Sequence, residues 1–272
     1  MSTHKRIAAI QMCSSDVVSE NIKVATQLIT QAKSHNSAIV ILPENFAFIG
    51  SDEADKMAIA ETFGQGEIQS FLSSTAKKHQ VWIIGGTMPL RTKSADKVTS
   101  SCLVINPQGQ CAARYDKIHL FDVTIPQTGV SYQESAFFEP GKEVVSVATP
   151  LGQVGLSVCY DLRFPELYRL LLRQHCSILC IPSAFTEKTG QAHWEVLLRA
   201  RAIENLSYVL ASNQTGIHAN GRKSFGHSMI INPWGEIINE LKEDIGVITT
   251  EIDAEFLEKV RNEFPAIQHR RL

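Results

Sequence analysis

The sequence GLSVCYDLRFPELYR, residues 155–169, reads as an apolar strand that turns directly into a helix. Its apolar part ends at Cys159, and a polar, charged stretch containing Asp161 and Arg163 follows before Pro165. A strand-to-helix turn of this kind lifts one side chain out of the edge of a sheet. It also directs the next backbone N–H groups at whatever that side chain contacts. This stretch therefore predicts a β-α unit with an accessible cysteine at its turn.

On both sides of this stretch, apolar strand-like runs alternate with amphipathic helical patterns. Strands are predicted over residues 6–12, 38–42 and 81–86. Helices are predicted over residues 19–34, 67–79, 164–174 and 193–206 and from residue 254 onward. Strand pairs joined by hairpin turns are predicted around residues 106–109, 149–152 and 232–235. This mixture predicts one α/β domain of α+β character, with mixed sheets and helices on the outer faces.

The composition limits the classes of partner. The 272 residues are 44% hydrophobic and 20% charged, with a formal net charge of -2. Such a balance is typical of a globular domain and provides no basic surface for nucleic acid or an anionic membrane. No segment approaches the roughly 20 apolar residues of a membrane-spanning helix, and the N-terminus lacks the apolar region of a secretory signal. We therefore expect neither nucleic acid nor a membrane as a partner.

Six cysteines are distributed along the chain without a C-x-x-C pair: Cys13, Cys102, Cys111, Cys159, Cys176 and Cys180. Several lie in or beside apolar runs, where a free thiol behaves as a small hydrophobic side chain. This usage fits a reduced, cytoplasmic compartment better than a disulfide framework. The lack of C-x-x-C and H-x-x-x-H spacings argues against a zinc site. Glycine-rich phosphate-binding motifs and the G-x-S-x-G serine motif are also missing from the sequence.

Three side chains have the chemistry of a cysteine-based catalytic site. Cys159 attacks efficiently only as a thiolate, so it needs a cation or a base nearby; otherwise it is a buried cysteine that closes a strand. Glu44, in ILPENF, follows a strand predicted to be buried on both faces, at an edge where ligand sites collect; otherwise it is a solvent-facing loop residue. Lys117, in RYDKIHLF, is either a catalytic cation or a lysine on the exposed face of a strand.

The motifs LPENF, YDKIHLF and GLSVCYDLRFPELYR, in this order, resemble those of the nitrilase (carbon–nitrogen hydrolase) superfamily. The resemblance covers residues 5–252 as the family domain and leaves residues 253–272 as a C-terminal helix and tail. It implies a four-layer α-β-β-α sandwich that assembles as a homodimer or a higher homo-oligomer. It also implies that no metal and no organic cofactor is used.

The same resemblance implies a role for each motif residue. Cys159 would be the nucleophile of a hydrolase that cleaves carbon–nitrogen bonds other than peptide bonds, through a thioester. Glu44 would be the general base, and Lys117 would stabilise the oxyanion together with the backbone N–H of Tyr160. Glu134, in SYQES, matches a second family glutamate that supports the lysine.

Residues 181–205 and 223–236 are similar to the small-amidase branch of the superfamily, and most similar to deaminated glutathione amidases. Those enzymes release 2-oxoglutarate and cysteinylglycine, whereas the alternative, an ω-amidase, acts on 2-oxoglutaramate or another short amide. Arg163 is the candidate for binding the keto-acid carboxylate that both substrates share. Further candidates, each with a plain structural alternative, are Phe185 and Thr189 for the pocket wall and Arg222 and Lys223 for the leaving-group side.

Three alternatives stay open at this point. A Cys–His pairing could replace the glutamate base, with the histidine chosen from His175, His193 and His227. A nitrile-hydrolysing enzyme is possible by analogy of fold alone. A non-enzymatic scaffold is less favoured, because a decayed site is expected to lose at least one of the three catalytic residue types.

Overall fold

The computed structural model describes residues 6–126 and 129–271. Lys5, the first residue of the predicted family domain, and Leu272, the last residue of the predicted C-terminal tail, lie outside the described residues. The described helices are α1 (Val18–Ser34), α2 (Asp55–Ala58), α3 (Glu67–His79), α4 (Pro165–Arg173), α5 (Glu187–Asn205) and α6 (Ala254–Glu263). The described strands are β1 (Arg6–Gln11), β2 (Ser37–Ile41), β3 (Trp82–Ile84), β4 (Met88–Arg91), β5 (Val98–Ile105), β6 (Cys111–Asp116), β7 (Asp122–Thr124), β8 (Ser131–Gln133), β9 (Ser146–Thr149), β10 (Gly152–Leu156), β11 (Ile178–Ser183), β12 (Tyr208–Asn213), β13 (Thr215–Ile217), β14 (Lys223–Phe225), β15 (Ser228–Ile231), β16 (Ile237–Leu241) and β17 (Gly246–Glu251).

Two large mixed sheets form the centre of the molecule. The first has the order β17-β1-β2-β3-β5-β4, and β6 also pairs with β5. The second has the order β16-β15-β12-β11-β10-β9. Each sheet contains three adjacent parallel strands, β1-β2-β3 and β10-β11-β12, flanked by antiparallel pairs. The predicted combination of β-α-β units and hairpins is therefore confirmed.

The alternation of side chains along β1 shows how the layers are stacked. Ile7 and Ala9 pack into the core between the two sheets, whereas Ala8 and Ile10 face the opposite way, toward α1 and α3. On the far side of the second sheet, α4 and α5 cover β10, β12 and β15. The order is therefore helix, sheet, sheet, helix, and the predicted four-layer α-β-β-α sandwich is confirmed.

Most helix boundaries lie within a residue or two of their predicted positions, but α5 begins at Glu187 rather than at residue 193. Gly190 lies in this additional part of the helix, where a Cβ atom would lie 2.2 Å from Cγ of Phe225 in β14. The glycine lowers helix propensity but lets the helix touch the strand. No helix within the two described ranges has the length and apolarity needed to cross a membrane.

Candidate active site

The cysteine elbow, Cys159–Arg163, is a 3-10 turn between β10 and α4. Its first residue has φ = +47°, in the left-handed region that a side chain with a Cβ rarely adopts. Phe164 is extended, as expected for a residue before proline, and Pro165 starts α4 because its fixed φ suits the first helical position. The sequence thus ends the strand, bends once at the cysteine and restarts as a helix, which turns the thiol toward the interior of a pocket.

Asp161 holds this strained turn in place. It is completely buried, and its carboxylate accepts hydrogen bonds from the Val158 N–H at 2.8 Å and the Tyr115 hydroxyl at 2.6 Å. The other oxygen accepts from the backbone N–H and the Nδ1 atom of His119, at 3.0 and 2.6 Å. Sequence reasoning did not assign Asp161 a role, since a lone aspartate after a turn resembles an ordinary loop residue.

Lys117 directly follows β6 and lies between two carboxylates. Its Nζ atom is 2.8 Å from Oε1 of Glu44 and 3.0 and 2.9 Å from the two carboxylate oxygens of Glu134. The backbone N–H of Phe121 donates to Glu134 at 2.6 Å and fixes its carboxylate. Lys117 is 2% exposed, so this ammonium is held by ion pairs in a site with almost no access to water.

Glu44 connects the lysine to the cysteine. Glu44 is 4% exposed, its carboxylate accepts the N–H of Ala184 at 2.9 Å, and it lies beside the Cys159 thiol, which affects its pKa. Strand β2 delivers Glu44, β10 delivers Cys159 and β11 delivers Ala184, so the carboxyl ends of strands from both sheets meet at one place. The sulfur, ammonium and carboxylate that were predicted to meet are within mutual reach.

The charges of this group set its resting state. Burial raises the pKa of the Cys159 thiol and Glu44 adds to the rise, which Lys117 only partly opposes. Burial also acts to raise the pKa of Glu44, but Lys117 and the hydrogen bond from the thiol lower it below its ordinary value. The pKa of Lys117 is raised despite burial, because Glu134 and Glu44 stabilise the ammonium. The resting group is therefore a neutral thiol beside an ionised Glu44 and a charged lysine.

A partly open pocket lies above this group. All eight predicted site residues line it: Glu44, Lys117, Glu134, Cys159, Tyr160, Arg163, Phe185 and Thr189. Arg222 lines it too, whereas Lys223 points elsewhere and pairs with Glu187 at 2.6 Å. Arg222 is therefore the one of these two residues that stays a candidate for the cation on the leaving-group side. The catalytic and binding roles of the other residues stay predictions.

The Arg163 side of the pocket is built from aromatic rings. Its guanidinium carbon lies 5.4 Å from the centroid of Phe185 and 5.8 Å from that of Tyr160. The ring of Phe185 packs in turn on Trp194, with 4.8 Å between centroids. Phe185 therefore both packs in the core and presents a face to the pocket. Core packing and pocket lining are not exclusive for this residue.

The pocket also contains residues that sequence reasoning missed. Lys56, at the start of the chain segment that forms α2, is buried and lies 2.5 Å from Oε2 of Glu53. Tyr132, from the β7–β8 hairpin, also lines the pocket, as do Phe121 and Asn45. A charged stretch such as residues 51–56 looks like a solvated loop in sequence, and only the folded chain turns it over the pocket.

The residues described around the cysteine offer no histidine base. His193 contacts Arg163 at 3.1 Å, His227 pairs with Glu240 at 2.6 Å, and none of the three candidates, His175 included, lines the pocket. In residues 6–126 and 129–271, no group of three or more His, Cys, Asp or Glu side chains is arranged to hold a metal ion. The arrangement instead supports chemistry by a thiol, a carboxylate base and an ammonium.

The sequence profile of the family described as carbon-nitrogen hydrolase matches residues 6–262. The chain belongs to this carbon–nitrogen hydrolase family. A deaminated glutathione amidase from Synechocystis sp. is 44% identical over 266 residues, covering 97% of each chain. One from Yersinia enterocolitica is 40% identical and covers 97% of this chain and 92% of the relative.

A solved structure supports the same conclusion for the fold. The C. elegans NitFhit protein superposes with a TM-score of 0.89 at 38% identity. The match covers 100% of this chain and 66% of that longer protein. The predicted family and sandwich fold are confirmed, and with them the assignment of the chain to the carbon–nitrogen hydrolases.

Proposed function

We propose that the protein is an amidase that hydrolyses deaminated glutathione to 2-oxoglutarate and cysteinylglycine, with Cys159 as the nucleophile. The observation that carries this proposal is the buried contact of the Cys159 thiol with an ionised Glu44, itself 2.8 Å from the Lys117 ammonium. The naming of relatives at 44% and 40% identity as deaminated glutathione amidases supports the substrate.

In the first half-reaction, the sulfur of Cys159 attacks the amide carbon while Glu44 takes the thiol proton. The raised pKa of the thiol and the lowered pKa of Glu44 mean that this transfer accompanies the attack, since a stable thiolate is disfavoured at rest. The carbonyl oxygen becomes an oxyanion, which Lys117 and the Tyr160 N–H stabilise. Glu44 then passes the proton to the amide nitrogen, the C–N bond breaks and the amine leaves.

In the second half-reaction, water enters and the roles reverse. Glu44 takes a proton from the water while the water oxygen attacks the thioester carbon. The C–S bond then breaks, and Glu44 returns that proton to the sulfur. Carboxylic acid and free thiol are the products, so one water is consumed per bond cleaved. Glu134 contributes by holding Lys117 in position to stabilise the oxyanion, which forms once in each half-reaction.

The acyl side of the substrate carries a keto-acid carboxylate, for which Arg163 is the proposed partner. Its guanidinium faces the pocket and is oriented by Phe185, Tyr160 and His193 rather than by a carboxylate. A planar guanidinium oriented in this way can bind a carboxylate through two parallel hydrogen bonds. Thr189, from the first turn of α5, lines the same side.

We further propose a homo-oligomer in a reducing, cytoplasmic compartment. All six cysteines are free thiols, which fits that compartment. Ile203, Trp234 and Phe264 are exposed and near one another on the helical face of the second sheet, with Trp234 and Phe264 packed edge to face at 5.5 Å. A second copy covering this apolar surface would remove it from water, and sedimentation velocity that finds only a monomer would contradict the assembly.

The test of the proposed function is kcat/KM for deaminated glutathione, 2-oxoglutaramate and a simple nitrile, measured side by side. We expect the highest value for deaminated glutathione. A preference for 2-oxoglutaramate would overturn the substrate but leave the mechanism in place. The absence of turnover for every amide, in a folded protein, would contradict the enzymatic proposal itself.

A further inference from the structure

The cations that line the pocket differ in how far their charge is already satisfied. Lys117 is bonded to Glu44 and Glu134, and Lys56 is bonded to Glu53. Two guanidinium groups make no hydrogen bond to a carboxylate, and these belong to Arg163 and Arg222. An anionic substrate that enters this pocket therefore finds two side chains with donors to spare.

Arg222 lies close to the reacting group. Its guanidinium donates to the carbonyl oxygen of Ala184, the residue whose N–H donates to Glu44. The guanidinium carbon also lies 5.5 Å from the ring centroid of Tyr132, on the wall formed by the β7–β8 hairpin. The backbone of Ala184 and the ring thus fix the orientation of the arginine within the pocket.

The side chain of Arg222 also keeps a donor in reserve. Its Nε atom is buried and makes no hydrogen bond to the protein, although an arginine has five N–H donors. Glu53 is the acidic residue whose pKa responds to the Arg222 charge, but its carboxylate is hydrogen-bonded to Lys56. Because Nε is too buried for a ligand to reach, a ligand carboxylate would accept from the outer nitrogens of the guanidinium group, which lines the pocket.

Arg163 and Arg222 make different contacts within the pocket. Arg163 rests on Phe185 and Tyr160, on the side of α4 and α5, whereas Arg222 rests on Tyr132. Deaminated glutathione has one carboxylate on each side of the scissile bond, the keto-acid carboxylate and the C-terminal carboxylate of the glycine. 2-Oxoglutaramate has only the first, because its leaving group is ammonia.

We propose that Arg222 binds the C-terminal carboxylate of the peptide leaving group and so selects a peptide-like amide over a simple primary amide. This inference rests on the proposed function and assigns the two guanidinium groups to the two ends of one dianionic substrate. Arg222 is then a specificity-determining residue that acts on the leaving-group side, while Arg163 serves substrates of both kinds.

The decisive measurement is kcat/KM of the Arg222→Gln variant for two substrates. For deaminated glutathione we expect a fall of roughly 10- to 100-fold, the size of a lost charge-assisted hydrogen bond. For 2-oxoglutaramate we expect a change within about twofold, since no carboxylate reaches the arginine. Arg163→Gln should lower both values, and Lys223→Gln, which removes the neighbouring cation outside the pocket, should lower neither.

A change in the substrate tests the same contact without relying on the variant to fold. Deaminated glutathione whose glycine carboxylate is replaced by a carboxamide should be a poorer substrate of the unaltered enzyme by a similar factor. Arg222→Gln should then handle the carboxamide nearly as well as the unaltered enzyme does, because the two changes remove one interaction. Equal losses for the acid, the carboxamide and 2-oxoglutaramate would overturn the proposal and show a structural role.

These outcomes separate failure of the inference from failure of the proposed function. If the unaltered enzyme does not turn over deaminated glutathione, the proposed function fails before any variant is compared. If it does, and Arg222→Gln retains the full preference for deaminated glutathione over 2-oxoglutaramate, only the role of Arg222 is contradicted.

Discussion

The molecule buries two carboxylates about the same cysteine, and it uses them differently. Asp161 accepts from the Val158 N–H, the Tyr115 hydroxyl and two nitrogens of His119, all of which are fixed by the fold. Glu44 accepts from one backbone N–H and from the Lys117 ammonium, and the Cys159 thiol lies beside it. One carboxylate is thus satisfied entirely by its surroundings, and the other by groups that take part in a reaction.

The comparison teaches that burial alone does not identify a catalytic carboxylate. A buried charge needs hydrogen-bond donors or an opposite charge, and both sites meet that need. What distinguishes them is the partner that can change: the thiol proton beside Glu44 can move, whereas no partner of Asp161 lies in the pocket. We therefore expect substitutions at Glu44 to affect the rate, and substitutions at Asp161 to affect the fold.

The largest effect is expected from Cys159→Ala, which removes the thiol beside Glu44. Alanine deletes the attacking sulfur and little volume, so amide turnover should fall by at least about 10⁴-fold. Circular dichroism and the Tm should show a retained fold. Substantial turnover by the folded variant would exclude Cys159 as the nucleophile, and with it the distinction between the two carboxylates.

The next effect is that of Glu44→Gln, which keeps the shape and removes the base. A neutral amide cannot take the thiol proton, so kcat should fall by roughly 10²- to 10⁴-fold. Lys117 remains paired with Glu134, so the change in the free energy of unfolding should be smaller than the change in the activation free energy of the reaction. A Glu44→Gln enzyme with near-normal kcat in steady-state assays would show that another group is the base.

Asp161→Asn should give the opposite pattern. The amide N–H group of asparagine would face hydrogen-bond donors that the fold holds in place, so some of these donors would lose their acceptor. The free energy of unfolding in urea titrations should therefore fall by roughly 2–3 kcal/mol. The matched control is Asp116→Asn, whose half-buried carboxylate bonds Arg114 and Ser101, and which should cost less than about 1 kcal/mol. If Asp161→Asn proved as stable as the unaltered protein, the elbow would not depend on this carboxylate.

The two carboxylates also differ in how far the sequence predicts them. Glu44 follows an apolar run that must be buried, so an acidic residue there is conspicuous, and the motif around it completes the inference. Asp161 is followed by leucine and arginine in a turn, and two of its donor residues, Tyr115 and His119, lie 46 and 42 positions away in the chain. Local pattern predicts strands, helices and hairpins well, because they depend on neighbours in the chain.

Contacts over long separations are what the sequence does not disclose. Arg222 and Ala184 are 38 residues apart, and Lys56 reaches the pocket from a loop that no periodicity describes. The first turn of α5 also makes a contact over a long separation, that of Gly190 with Phe225. Tertiary packing decides these features, and propensity alone favours a different boundary.

The smallest effect, and the sharpest separation of Glu44 from a histidine base, is expected in the pH profile of kcat/KM. Lys117 and the thiol lower the pKa of Glu44 below its ordinary value of 4.5, so the base stays ionised down to more acidic pH. Its contribution to stability is present above pH 4.5 and is lost as the pH falls through the lower pKa of the folded state. The acid limb should therefore lie below pH 4.5, near the onset of acid unfolding, which circular dichroism at each pH would detect. An acid limb near neutral pH in a protein that stays folded would assign the base to an imidazole and erase the difference between the two carboxylates.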